Sequence, residues 1–180
     1  VKIVRCVAKA LAEFDSGDLE SAMIHACNAV DGTARESYGY SLGNKIRFTK
    51  LLREYHYILG PMTLPGLDAQ AQRFPGLLPR GTTDDGAPDL ADLIYTIHRL
   101  PGAHGDEVPL DFALKPRSSF PGYPTAVSIG TRSLALPASV IPGLLAVMVM
   151  APANARLHLD DGDPWLSLGE TRLPINDWWG

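Results

Sequence analysis

The 180-residue chain predicts a mainly α fold, a four- to five-helix bundle carrying a small C-terminal β hairpin or sheet. Three observations lead there. Apolar residues recur at three- and four-residue steps through the first two thirds of the chain, the period of one helix face. The run VIPGLLAVMVMA at 140–151 is unbroken, and it suits a buried core helix because a bilayer span needs about twenty residues. Apolar–polar alternation surfaces near the end, in WLSLG, after the turn-forming letters DDGDP.

The elements follow in order. In IVRCVAKALAEF, the residues Ile3, Val4, Val7, Ala8, Leu11 and Phe14 define the first stripe. DSGDLE then supplies a turn, with Ser16 or Asp18 as the cap of the next helix. That helix carries Leu19, Ala22, Met23, Ala26, Cys27, Val30 and Ala34 on one side, and Glu20, His25, Asn28, Asp31 and Arg35 on the other. Asp31 and Arg35 stand at i and i+4, the spacing of a helix-supporting ion pair. After the break at YGYSLGN, a third helix is expected over NKIRFTKLLREYHYIL, with Phe48, Leu51, Leu52, Tyr55, Ile58 and Leu59 inward. Its polar side is basic: Lys45, Arg47, Lys50 and Arg53, which reads first as a solvated helix face.

Residues 60–88 are rich in Gly and Pro and predict a long irregular connection with a helical turn near Asp68 to Arg73. A fourth helix opens at PDLADLIYTIHRL, capped by Asp89. VPLDFAL and TAVSIGT read as strands, followed by the apolar helix and a terminal hairpin turning at DDGDP. The tail's Trp178 and Trp179 either dock on the body or form an interface patch. The helical part is assigned to residues 1–110, and residues 111–180 to an extension packed on the same domain.

Composition narrows the function. The net charge of −4 lacks the basic excess of a general nucleic-acid binder, while leaving room for a local basic cleft. Cys6 and Cys27 fall on apolar helix faces, which predicts two buried free thiols and a cytoplasmic protein. The opening VKIVRCVAKALAEF has interspersed charges and no signal-peptide pattern, and no membrane partner is expected. Glycine-rich phosphate loops, Gly-x-Ser-x-Gly elbows and zinc-spaced cysteines do not occur, which removes kinases, α/β-hydrolases and zinc ribbons.

The chemistry concentrates in IHRLPGAHGDE. By the helical step, Leu90, Leu93, Ile94 and Ile97 face the core, and His98 flanks them as a packed histidine. Asp92, Thr96 and Arg99 lie nearly opposite, so Arg99 is expected to end a polar stripe pointing away from the core. Pro101 and Gly102 stop the helix, and that break lets His104 converge on Arg99. A guanidinium forks onto phosphate oxygens and an imidazole moves protons near neutral pH. Together they suit phosphodiester chemistry in which the substrate's own 2′-hydroxyl is the nucleophile, with no metal and no cofactor. A metal site from His98, His104, Asp106 and Glu107 matches no standard spacing.

RLPGAH, an Arg-x4-His closing a helix of an all-α bundle, resembles the signature of the HEPN superfamily (higher eukaryotes and prokaryotes nucleotide-binding domains). The likeness extends over roughly residues 18–108 through ACNAVDGTARESYG, NKIRFTKLL and DLIYTIHRLPGAHGDE. Leu100 and Pro101 depart from it, since such nucleases commonly have a polar residue after the arginine and a continuing helix. The resemblance implies a homodimer and metal-independent cleavage of RNA. Arg99 and His104 would be catalytic, and Lys45, Arg47, Lys50 and Arg53 would form a phosphate track. Asp31, Asp92 and Thr96 would support the site. It also implies a toxin or defence effector with an antitoxin or defence-system partner. The alternative is an inactive HEPN-like module that binds RNA, a nucleotide or a partner protein, or that only dimerises.

Overall fold

Helix α1 (Ile3–Ser16) buries Ile3, Cys6, Val7 and Ala10. The computed structural model describes residues 3–64, 66, 68–78, 87–99, 112–116, 128–130, 133–160, 162, 164–168 and 171–179. Ala8, expected in the α1 stripe, is exposed, because it stands one step of about 100° beyond Val7 on the helix. Gly17 turns the chain with φ at +87°. Asp18 then caps α2 (Leu19–Tyr38), accepting from the Ser21 amide at 3.0 Å.

Helix α2 is buried over much of its circumference because α1, α3 and the apolar C-terminal helix all pack on it. Small residues make that possible. A Cβ at Gly32 would stand 2.9 Å from Ile3 Cγ1, so the glycine sets how closely α1 lies against α2.

The expected third helix is two. Helix α3 (Asn44–Glu54) ends where Tyr55 leaves helical geometry (φ −102°, ψ 23°), and α4 (His56–Thr63) restarts at once. Helix α4 runs through Gly60 and Pro61, where the composition favours irregular chain. A hydrogen-bonded turn does follow at Asp68, whose carboxylate accepts from the amides of Gln70 and Ala71.

Helix α5 (Leu90–Leu93) opens with a capping box in which Asp89 and Asp92 each accept from the other's amide. It passes directly into a π-helical turn over Ile94–Arg99. Leu90, Leu93, Ile94 and Ile97 are all buried, as their spacing predicts.

Strands β1 (Phe112–Lys115), β2 (Ser128–Gly130) and β3 (Ser133–Pro137) form one sheet in the order β1-β3-β2. β3 pairs parallel with β1 and antiparallel with β2. Helix α6 (Val140–Met150) buries nine of its eleven residues and packs chiefly between α2 and α4. Residues beyond 111 therefore supply the middle of the core. Strands β4 (Trp165–Leu168) and β5 (Thr171–Pro174) make the terminal hairpin. DDGDP lies before β4 and does not join the two strands. Trp179 is buried and donates to Asn176 Oδ1 at 3.2 Å, so it docks on the body, whereas Trp178 is exposed.

The fold is thus mainly α with a small strand component toward the C-terminus. Both cysteines are free and buried. No described helix is long and apolar enough to cross a membrane.

Candidate functional site

The polar residues of the fifth helix turn inward. Asp92 is buried, and the Arg99 side chain keeps only 16% of its exposure. Asp92 precedes the π turn and is covered by α3, whose Lys45 and Arg53 pair with it. For Arg99 the expectation of an outward stripe assumes α-helical steps throughout, but the π turn holds more residues per turn and redirects the side chains it carries. Arg99 consequently reaches back to α2, where Nη2 donates to Asp31 Oδ2 at 3.4 Å.

Asp31 is shared. From α3, Arg47 Nη2 approaches Asp31 Oδ1 at 3.9 Å. Arg47 is itself buried, fixed by donation to Asn44 Oδ1 and, at 3.4 Å, to the Leu42 carbonyl. It is no part of a solvated face. Nor does Asp31 pair with Arg35: Arg35 lies 3.9 Å from Glu36 and over the Tyr40 ring at 5.8 Å. Arg47 approaches the same ring at 6.0 Å.

Two guanidiniums thus share one carboxylate, leaving one net positive charge in a part-buried place. Arg47 Nε, Arg99 Nε, Asp31 Oδ1 and Thr96 Oγ1 are buried without a hydrogen-bond partner among the described residues. Each such atom costs about 1–3 kcal/mol unless something else bonds it. The two Nε–H groups call for an acceptor and Asp31 Oδ1 for a donor, roles that an ordered water fills together and an oxyanion fills only at the arginines. Burial drives the Cys27 thiol up to about 12, so it stays protonated. Burial likewise pushes the Tyr95 hydroxyl up and takes His98 down to about 4, leaving that ring neutral as expected of a packed histidine.

The other expected phosphate-track residues go elsewhere. Arg53 donates to Asp89 at 2.6 Å and to Asp92 at 2.8 Å, and Lys45 stands 3.8 Å from Asp92. Burial works against the Asp89 carboxylate, yet bonds from Arg53 and the Asp92 amide hold it below the usual carboxylate range. Burial and the charge of Asp89 push Asp92 upward. Lys50 pairs with Glu54, which also accepts from the Tyr38 hydroxyl. So Arg99, Asp31 and Arg47 belong to one cluster; Asp92, Lys45 and Arg53 belong to a second. The Thr96 hydroxyl is buried with no hydrogen-bond partner among the described residues. His104, with Asp106, Glu107, Leu100 and Pro101, lies outside the described residues. Asn44 and Tyr40 are members of the first cluster that periodicity gives no means of finding. Among the described residues no three His, Cys, Asp or Glu side chains gather as a metal site.

The family model described as Rv1289 matches residues 2–180. Uncharacterized protein Mb1320 of Mycobacterium bovis is 38% identical over 181 residues, covering all of this chain and 84% of its own. Uncharacterized proteins MT1327 and Rv1289, from two strains of Mycobacterium tuberculosis, match with the same 38% identity and the same coverage. No solved structure matches the chain.

Proposed function

Because the chain belongs to the Rv1289 family, whose mycobacterial members carry no activity in their names, we propose a function from the site itself: metal-independent endoribonuclease action of HEPN type. One observation supports it most. Arg47 and Arg99 share Asp31, their buried Nε donors remain unpartnered, and Arg99 ends the turn that precedes His104 in sequence. In this reading Arg99 holds the scissile phosphate and Asp31 orients Arg99. His104 moves protons: the 2′-hydroxyl loses its proton, O2′ bonds to phosphorus, and the P–O5′ bond breaks with protonation of O5′. The product is a 2′,3′-cyclic phosphate. One imidazole cannot be acid and base in the same step, so two chains pairing their Arg–His motifs belong to the proposal. A cytoplasmic location and an antitoxin or defence-system partner belong to it as well.

A second reading keeps the anion site and drops the cleavage. It is favoured by Arg99 being already engaged by Asp31 and largely buried. There the cluster binds RNA, a nucleotide or a partner's acidic group without reaction.

Cleavage of a mixed RNA pool in EDTA by wild type and His104→Ala separates the two. Cyclic-phosphate ends that vanish in His104→Ala are the expected result. No cleavage by folded wild-type protein, with retained RNA binding that Arg99→Gln weakens, would overturn the nuclease in favour of the binding module.

A further inference from the structure

A cleft of about 170 Å³ opens between α3, α4 and the start of α5, on residues distinct from the Asp31 cluster. Its floor is apolar: Leu52, Leu59, Leu90 and Ala91. Its rim is polar, with Arg53, His56, Arg73 and Asp89. We propose that this cleft binds a small monocarboxylate with a compact apolar body, such as an aromatic or branched carboxylic acid.

The wall is built, not incidental. Asp68 fixes the turn through the Gln70 and Ala71 amides at 3.0 and 3.2 Å. The Phe74 amide donates to the Pro88 carbonyl at 2.9 Å, tying this segment to the entrance of α5, and the Phe74 ring is buried. A Cβ on Gly60 would stand 3.0 Å from Ala69 Cβ, so glycine lets α4 meet the turn that closes this side.

Charge decides the ligand's head. Arg53 is neutralised at the rim by Asp89 and behind it by Asp92. Arg73 donates Nη1 to the Gln70 and Gln72 carbonyls at 2.7 and 3.0 Å and has no carboxylate partner among the described residues. Those bonds aim the guanidinium while leaving Nε and Nη2 for an incoming oxygen pair. His56 Nδ1 lies 2.9 Å from the Arg53 carbonyl; a carbonyl only accepts, so Nδ1 carries the hydrogen and the imidazole is held in place. The rim therefore offers one uncompensated positive charge, that of Arg73. One such charge matches a monoanion, and the apolar floor leaves the further oxygens of a phosphate without partners.

Size decides the tail. The volume is close to that of an apolar cavity of ~150 Å³ that takes benzene. A single ring or branched chain fills it over the Leu52, Leu59 and Leu90 floor.

The test is an amide NMR titration of the full chain with benzoate, using benzyl alcohol and inorganic phosphate as comparisons. Saturable shifts centred on Gly60, Ala69, Gln70 and Ala91 are expected with benzoate, with weaker binding of benzyl alcohol and none of phosphate at these amides. Arg73→Gln, at an exposed position, should weaken benzoate at least about tenfold, since two charge-assisted bonds are lost and glutamine restores at most one neutral one. Ala69→Trp should abolish binding by filling the space. Absence of saturable benzoate shifts in wild type, equal binding of phosphate, or affinity indifferent to Arg73→Gln would each overturn the proposal. Should Ala69→Trp not fold, the wild-type titration and Arg73→Gln decide alone.

Discussion

Arg99 and Asp31, 68 positions apart in sequence, meet at 3.4 Å across the packing of the π-helical turn against α2. Both side chains are mostly buried, and Arg47 closes on the same carboxylate from the other side. Removing the shared charge leaves two guanidiniums facing each other. Asp31→Asn should destabilise the fold by about 1–3 kcal/mol, less than for a fully buried pair because water still reaches the edge. Urea unfolding measures it. A loss below a few tenths would mean that the carboxylate has no structural part in the cluster.

Asn154 joins the short turn after α6 to the middle of α2. Its Nδ2 donates to Thr33 Oγ1 at 2.9 Å and to the Met148 carbonyl at 2.8 Å, wholly out of solvent. Thr33 in turn donates to the Ala29 carbonyl at 3.1 Å. Asn154→Ala should cost about 2–4 kcal/mol, combining two lost bonds with an acceptor stranded in the core. Thermal unfolding of the variant beside Thr33→Val tests whether the two effects are non-additive, as members of one network should be.

Gly143 is where α6 crosses α4. An added Cβ would stand 2.8 Å from Thr63 Oγ1 and 3.2 Å from Leu59 Cδ1. Gly143→Ala should therefore destabilise by about 1–3 kcal/mol although alanine is the better helix former. Pairing it with Thr63→Ala should recover part of the loss.

His98 gives the fold an acid-side dependence. Its ring is buried and titrates near 4 where the ordinary value is 6.5. The unfolded chain takes up a proton below that ordinary value while the native ring stays neutral. The contribution is thus complete above 6.5 and is lost as pH falls toward 4, with a ceiling on the order of 3 kcal/mol. His98→Gln should flatten the stability profile across this window. A variant whose profile runs parallel to wild type from pH 7 to about pH 4 would remove His98 as the cause.

The stripes that repeat at helical period are legible because burial alone dictates them: Met23, Val30, Phe48 and Leu93 are where spacing puts them. Arg99 is misdirected by the same rule, since a π turn leaves no mark in apolar periodicity. Arg47 reads as surface because charge usually is; only the fold brings Asp31 and Asn44 around it. Strand β3 hides in the sequence ahead of Pro137, although Leu134 and Leu136 alternate inward, because four or five residues give a weak period and its β1 partner is far off in sequence. The docking of Trp179 depends on Asn176, which also brackets Leu159 with bonds to its amide and carbonyl, and no local pattern announces that bridge.

Helix α6 has one more consequence, in the order of synthesis. The amino-terminal helices are made first, yet the apolar rod that fills the space between α2 and α4 is specified only at residues 140–150. Until it leaves the ribosome, Leu59, Met62 and the side of α2 that α6 covers lack that native partner. At translation rates of about 5–20 residues per second, that interval lasts several seconds. A nascent chain stalled before this segment should be protease-sensitive along α4, and release of the finished chain should snap the whole helical body shut in one step.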